Sequence, residues 1–110
     1  MGYITHAGNE YEIDDRCLAH LKVIVGSKLR RRESFFLNLS TGTRYRPGTV
    51  ALWISPDGPL EFRFAGSRVP PLNENWIQAM RESASTPRGI VLMSEAVADA
   101  RAVARGQAGR

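Results

Sequence analysis

A chain of 110 residues with a 43% hydrophobic share can bury a sizeable core as one domain and needs no disulfide or metal to fold. Cys17 is the only cysteine, which excludes an internal disulfide and, with only His6 and His20 as further ligands, argues against structural zinc. The net charge of +4 favours anionic partners, while the lack of a signal pattern or a long apolar run predicts a cytoplasmic protein without a membrane span.

The first third of the chain predicts a hairpin followed by a helix. Tyr3 to Thr5 and Glu10 to Ile13 alternate apolar and polar residues around the turn Ala7-Gly8-Asn9, as strands of a hairpin do. Asp14 and Asp15 then suit the start of a helix, which we expect to continue with one apolar stripe as far as Arg30 to Arg32. Gly26, inside this helix, is expected to allow close packing against a sheet.

Three strands are expected next, at Ser34 to Leu39, Thr49 to Ile54 and Leu60 to Phe64. Each has a stripe of Leu, Ile, Val or Phe on one face, and their short connections predict a meander. On the first two strands the same alternation turns Phe36 and Trp53 away from the core.

The last third predicts a helix from Glu74 to about Ser85, capped by Asn73, and a short strand at Ile90 to Met93. We therefore expect one α+β domain over residues 1–93, in the order β-β-α-β-β-β-α-β, with a mainly antiparallel sheet and two helices on one face. Residues 94–110 form a tail rich in Ala and Arg that is predicted to be weakly helical or disordered.

Several stretches of the sequence resemble a family of small actinobacterial proteins whose members are often labelled "ATP-dependent DNA ligase". The resemblance covers roughly residues 1–95 and rests on these segments: Tyr11-Glu12-Ile13-Asp14-Asp15-Arg16, Leu18-Ala19-His20-Leu21-Lys22, Gly26-Ser27-Lys28-Leu29-Arg30-Arg31, Glu33-Ser34-Phe35, Leu52-Trp53-Ile54, Phe62-Arg63-Phe64, Gly66, Pro70-Pro71-Leu72-Asn73 and Trp76-Ile77. It implies a nucleic-acid context. Members often have His where this chain has Ser55.

The residues do not supply the chemistry that this label names. A ligase of that type uses the lysine of a Lys-x-Asp-Gly motif, but Lys22 and Lys28 are the only lysines and neither stands in one. The single Asp-Gly pair, Asp57-Gly58, has Ser55 at the lysine position, and no phosphate-binding loop is present. We therefore expect no ligase catalysis, no cofactor and no small-molecule substrate.

Two other groups of residues could in principle carry chemistry. Cys17 and His20 are three residues apart on the expected helix, but no orienting acid follows, so a small core thiol beside an exposed or edge histidine is the favoured interpretation. Asp14, Asp15 and His6 could bind a cation, but two carboxylates at a helix start more often cap it. We predict neither a catalytic nor a metal site.

The remaining candidates are surfaces. Lys28, Arg30, Arg31 and Arg32 form a basic cluster that could contact phosphates, although a solvated helix end is the favoured interpretation. A second cluster combines charge with an aromatic ring and suits a single strand; it consists of Arg44, Tyr45 and Arg46.

The outward Trp53, with Phe36 turned the same way on the neighbouring strand, is either covered by the second helix or the tail, or it marks a contact surface. Two functions thus stay open: a nucleic-acid-binding accessory protein, or a module for protein interaction or homo-oligomerisation.

Overall fold

The computed structural model describes residues 1–42, 45 and 47–108 and confirms the α+β class. The described residues form two sheets and three helices, where one sheet and two helices were expected. The elements in chain order are β1 (Gly2–His6), β2 (Asn9–Ile13), α1 (Asp15–Arg30), β3 (Phe35–Gly42), β4 (Pro47–Ile54), β5 (Glu61–Arg63), α2 (Glu74–Ala84), β6 (Ile90–Val91) and α3 (Glu95–Ala108).

The first sheet is antiparallel and has the strand order β2-β1-β5. Its hairpin turns at Ala7 and Gly8, which have φ angles of 52° and 84°, the left-handed pair that a tight two-residue turn needs. The predicted meander is wrong at β5, because this strand pairs with β1, where Ile4 lies opposite Phe62, and not with β4. The chain turns after β4, where the Gly58 amide donates to the Ser55 carbonyl, but a turn permits a hairpin without requiring one, because contacts distant in the sequence decide which strand β5 joins.

The second sheet has the order β4-β3-β6. Strands β3 and β4 pair antiparallel from Phe35 opposite Ile54 to Gly42 opposite Pro47. Strand β6 runs parallel to β3, with Leu37 opposite Ile90, because the chain crosses over through α2 before it returns to the sheet.

The core lies where both sheets meet α1 and α2. Most of the inward stripes predicted for α1, β3 and β4 is buried, including Leu18, Leu21, Leu37 and Ile54, while Val50 is partly buried. Trp76 on α2 is buried as well, and its indole Nε1–H donates to the carbonyl of Met93 at 2.9 Å. Asn73 caps α2 as predicted, because its side chain accepts from the Asn75 amide at 2.9 Å.

The segment after residue 94 forms α3, a helix of 14 residues. Its Ala98 is fully buried, and its Arg105 pairs with Glu82 of α2 at 2.8 Å. Helix α3 thus packs on α2. No helix within the described ranges has both the length and the apolar character that crossing a membrane requires.

Candidate interaction surfaces

Phe36 and Trp53 form an exposed aromatic pair on the second sheet. They lie directly opposite each other on β3 and β4, with ring centroids 5.0 Å apart in an edge-to-face arrangement. Phe36 is 42% exposed and Trp53 is 53% exposed, while their neighbours Phe35 and Ile54 are buried. The alternation predicted from the sequence therefore holds, and both rings are available to a partner.

The two rings stand at one end of a long uncharged surface, which we call the outer face. It consists of the outward residues of β3 and β4, namely Phe36, Asn38, Ser40, Thr49, Ala51 and Trp53. The Asn38 amide donates to the carbonyls of Arg88 and Ile90, both at 3.0 Å, and so holds β6 against β3. Six residues of strand separate the rings from the far hairpin, a distance of about 20 Å.

The hairpin at the far end of the outer face carries the second predicted cluster. Tyr45 of this cluster is 88% exposed. Arg44 and Arg46 lie outside the described residues.

Ion pairs partly neutralise the basic cluster at the end of α1. Glu33 pairs with Lys28 at 3.4 Å and with Arg31 at 2.6 Å, and Lys28 also lies 5.5 Å from the centre of the Phe35 ring. Arg32 pairs with Asp57 at 3.2 Å. Within the described part of the chain, Arg30 alone of the four has no ionic partner, so this cluster offers less free positive charge than its sequence suggests.

Cys17 and His20 do not form a nucleophile and base. The expectation of an exposed or edge histidine is wrong: His20 is fully buried and lies 4.4 Å from the Trp76 ring. Its Nε2 accepts from the Asn73 amide at 2.7 Å, so its Nδ1–H donates to the Arg16 carbonyl at 2.6 Å, and both nitrogens are occupied. Burial raises the pKa of the Cys17 thiol to about 11, which keeps it protonated.

The Asp15 and His6 side chains are each hydrogen-bonded to backbone groups of other segments. Asp14 takes the N-cap position without a side-chain hydrogen bond, so capping by this carboxylate does not occur. Asp15 accepts from the Ala65 and Gly66 amides at 3.1 and 2.8 Å, and these bonds lower its pKa. The His6 Nε2–H donates to the Trp53 carbonyl at 3.0 Å.

No group of three His, Cys, Asp or Glu side chains in the described ranges is placed to hold a metal ion.

A groove that the sequence patterns do not predict runs along α1. We call it the α1 groove; its walls are α1 and residues 64–72, and its volume is about 600 Å³. The apolar part includes Val23, Phe64, Val69 and Leu72, and the cations Lys22, Arg30 and Arg68 stand around it.

Gly26 lies in this groove, and a Cβ there would meet nothing within 4 Å, so the expected close packing of Gly26 against a sheet is wrong.

Three residues of α1 hold the segment that forms the other wall. Asp15 binds the amides of Ala65 and Gly66, as described above, and the Arg16 Nη1–H donates to the Pro71 carbonyl at 2.8 Å. The His20 Nε2 accepts from the backbone amide of Asn73, two residues after Pro71. Sequence patterns missed the groove because these bonds join positions about fifty residues apart, and no local periodicity records them.

One comparison with known proteins gives a match. A family model described as a domain of unknown function, DUF7882, matches residues 1–95. No curated protein and no solved structure matches the chain. The matched range takes in the outer face and both walls of the α1 groove, and it ends at the first residue of α3.

Proposed function

This chain belongs to the DUF7882 family, and we propose that it is a non-enzymatic domain that binds single-stranded nucleic acid on its outer face. The observation that carries the proposal is the exposed pair of Phe36 and Trp53. Proteins that bind single strands stack bases on such rings, and each stacked base contributes about 1–3 kcal/mol whatever its identity.

The layout of the outer face supports a strand that runs along β3 and β4. The rings lie at one end and the exposed Tyr45 at the other, about 20 Å away, which leaves room for several nucleotides between them. The sequence places Arg44 and Arg46 beside Tyr45, where they would meet phosphates. Because Lys28, Arg31 and Arg32 are paired with acids, we assign the main contact to the outer face and only a minor one to the basic cluster.

The resemblance to proteins labelled as DNA ligases fits a role beside nucleic acid. We propose the role of an accessory protein and no ligase step, since neither lysine stands in a Lys-x-Asp-Gly motif.

Fluorescence of Trp53 tests the proposal directly, because Trp76, the second tryptophan, is buried. Adding a mixed-sequence single-stranded DNA or RNA is expected to quench the exposed tryptophan. If about three phosphates are contacted, affinity should fall about 20-fold between about 50 and 200 mM salt. Absence of binding at the lower salt would overturn the proposal.

Variants locate the contact. Trp53→Ala is expected to weaken binding at least about fivefold, the lower limit for one lost stacking contact, and Trp53→Phe should keep much of it. Val103→Ala, which removes an exposed apolar side chain on α3, is the matched control and should change nothing. Equal affinity of Trp53→Ala and the unaltered protein would show that the outer face is not the contact.

A second copy of the chain is the competing partner for the same rings. Strand β4 is an edge strand of its sheet, and edge strands can pair with another chain. Light scattering on the unaltered protein and on Trp53→Ser distinguishes the two: an oligomer that Trp53→Ser dissolves would favour self-association, and a monomer in both would exclude it.

A further inference from the structure

We propose that the α1 groove binds a small amphiphilic carboxylate, a molecule with an apolar chain that ends in a carboxyl group. Nothing in the outer-face proposal requires this site. The inference rests on the shape of the groove, on its charge and on the way in which its wall is held.

The groove has the size and surface of a small-ligand site. Its volume of about 600 Å³ falls inside the range that such sites occupy. It follows α1 from Ala19 to Arg30, and this part of the helix is about 16 Å long at 1.5 Å per residue. An elongated apolar chain fits this length, with Val23, Phe64 and Leu72 as its contacts.

Gly26 keeps the middle of the groove open. Glycine inside a helix costs about 1 kcal/mol relative to alanine, and it is usually retained for close packing or for a positive φ angle. Neither reason applies here, because an added Cβ would meet no atom within 4 Å and the residue stands in a regular helical turn. What the missing side chain provides at this position is free volume on the groove floor.

The charge around the groove selects an anion. Lys22, Arg30 and Arg68 line it, no Asp or Glu does, and none of the three cations has an ion pair among the described residues. Lys22 instead lies 5.9 Å from the centre of the Phe64 ring, at the boundary of the apolar surface. A carboxylate beside these side chains would gain charge-assisted hydrogen bonds while its chain stays on the apolar floor.

Hydrogen bonds to α1 hold the wall formed by residues 64–72 in place before any ligand arrives. Residues 64–72 carry little regular structure, yet Asp15 binds the amides at one end and His20 binds the Asn73 amide just past the other. Arg16 holds the Pro71 carbonyl between them. A preformed wall lowers the ordering cost of binding, which favours a small ligand over one that must reshape the groove.

Isothermal titration with three probes tests this inference: dodecanoate, dodecyltrimethylammonium and acetate, each below the concentration at which it forms micelles. Dodecanoate is expected to bind at least about tenfold more tightly than either other probe, because only it combines the chain with the negative charge. If dodecyltrimethylammonium bound as tightly as dodecanoate, the inference that the groove selects an anion would be overturned. If acetate bound as tightly as dodecanoate, the inference that an apolar chain contributes to binding would be overturned.

Matched glycine variants locate the site. Gly26→Met fills the groove floor and is expected to weaken dodecanoate binding at least about tenfold. Gly106→Met is the control, since Gly106 also lies in a helix with nothing within 4 Å of an added Cβ, but on α3 and away from the groove. Equal affinity of Gly26→Met and Gly106→Met would overturn the inference.

A charge variant gives a second route that does not depend on Gly26→Met folding. Arg30→Glu with Arg68→Glu leaves every described ion pair intact and is expected to weaken dodecanoate binding at least about tenfold, with an unchanged circular dichroism spectrum. Unchanged affinity would overturn the inference. Single-stranded DNA titrated into Gly26→Met should still bind. The experiment therefore distinguishes failure of the α1 groove proposal from failure of the outer-face proposal.

Discussion

The carboxylate of Glu95 joins three parts of the molecule at one point. It accepts from the Arg16 Nη2–H of α1 at 2.6 Å and from the Asn73 amide group at 2.8 Å, just before α2, while its own residue begins α3. The hydrogen bond from Arg16 and then the one from Asn73 lower the pKa of Glu95 from 4.5 to about 2. The ionised form is therefore the one that the folded state stabilises.

Glu95→Gln should lower stability at pH 7, because the amide cannot form the ion pair with Arg16. A carboxyl group whose pKa is lowered in the folded state stabilises the fold at pH values above its pKa in the unfolded chain. This contribution is lost as the pH falls through its pKa in the folded protein. The difference in urea midpoint between the unaltered protein and the variant should therefore narrow from about pH 4.5 down to about 2. A difference that stays constant over this range would contradict the assignment.

Cys17 is expected to react slowly with thiol reagents. Burial raises its pKa from 9.0 to about 11, so its thiolate fraction at pH 8 is roughly a hundredfold below that of a thiol with the ordinary value. Alkylation by iodoacetamide in the folded protein should be slower than in urea by about this factor. Equal rates would show that the thiol is accessible and ionisable in the fold.

At the scale of elements, the contact between β6 and β3 depends on a single glycine. Gly89 has a φ angle of 91°, and a Cβ on it would lie 2.3 Å from the Phe36 carbonyl oxygen. Only a residue without a side chain allows the backbone before β6 to come this close to β3 in that conformation. The parallel end of the sheet, and with it one border of the outer face, therefore needs Gly89.

Gly89→Ala should destabilise the fold by about 1–3 kcal/mol or more, because backbone strain and the clash with Phe36 add up. Gly58→Ala is the control: Gly58 has no positive φ, and its nearest atom to an added Cβ is 3.8 Å away. Urea unfolding followed by circular dichroism measures both. Similar midpoints for the two variants would contradict the close approach at Gly89.

At the scale of the whole molecule, all of α3 except its first residue lies beyond the family match, yet the helix belongs to the folded unit. The match ends at residue 95, but Ala98 is buried, Arg105 pairs with Glu82, and Asp99 accepts from Asn73 at 3.1 Å. The partners of Arg105 and Asp99 are a residue of α2 and the residue that caps it. We expect α3 to stabilise the position of α2 and not to be part of either proposed binding surface.

Truncation after Ser94 should therefore lower the urea midpoint, because the buried Ala98 is lost, Glu82 loses its partner Arg105, and Arg16 loses its partner Glu95. Single-strand binding by the outer face should remain under conditions in which the shortened chain is folded. A midpoint equal to that of the full chain would show that α3 does not contribute to stability.

Much of the local structure was predictable from the residues themselves. Period-two alternation identified which faces of β3 and β4 are buried, and so the exposure of Phe36 and Trp53. Asn73 and the apolar spacing after it indicated α2 and its cap. These features depend on neighbours within a few positions, which is the range over which side-chain periodicity and capping act.

The tertiary structure decided what depends on distant partners. Nothing near β5 in the sequence shows that it pairs with β1, and nothing near His20 shows that the Asn73 amide fifty-three residues away will occupy its Nε2. The free charge of Lys28, Arg31 and Arg32 likewise depends on where Glu33 and Asp57 come to lie. The sequence alone thus determined the strands, the helices and their apolar faces, because these depend on residues close together in the chain. The strand pairing, the ion pairs and the α1 groove depended on the tertiary structure, because contacts between distant residues create them.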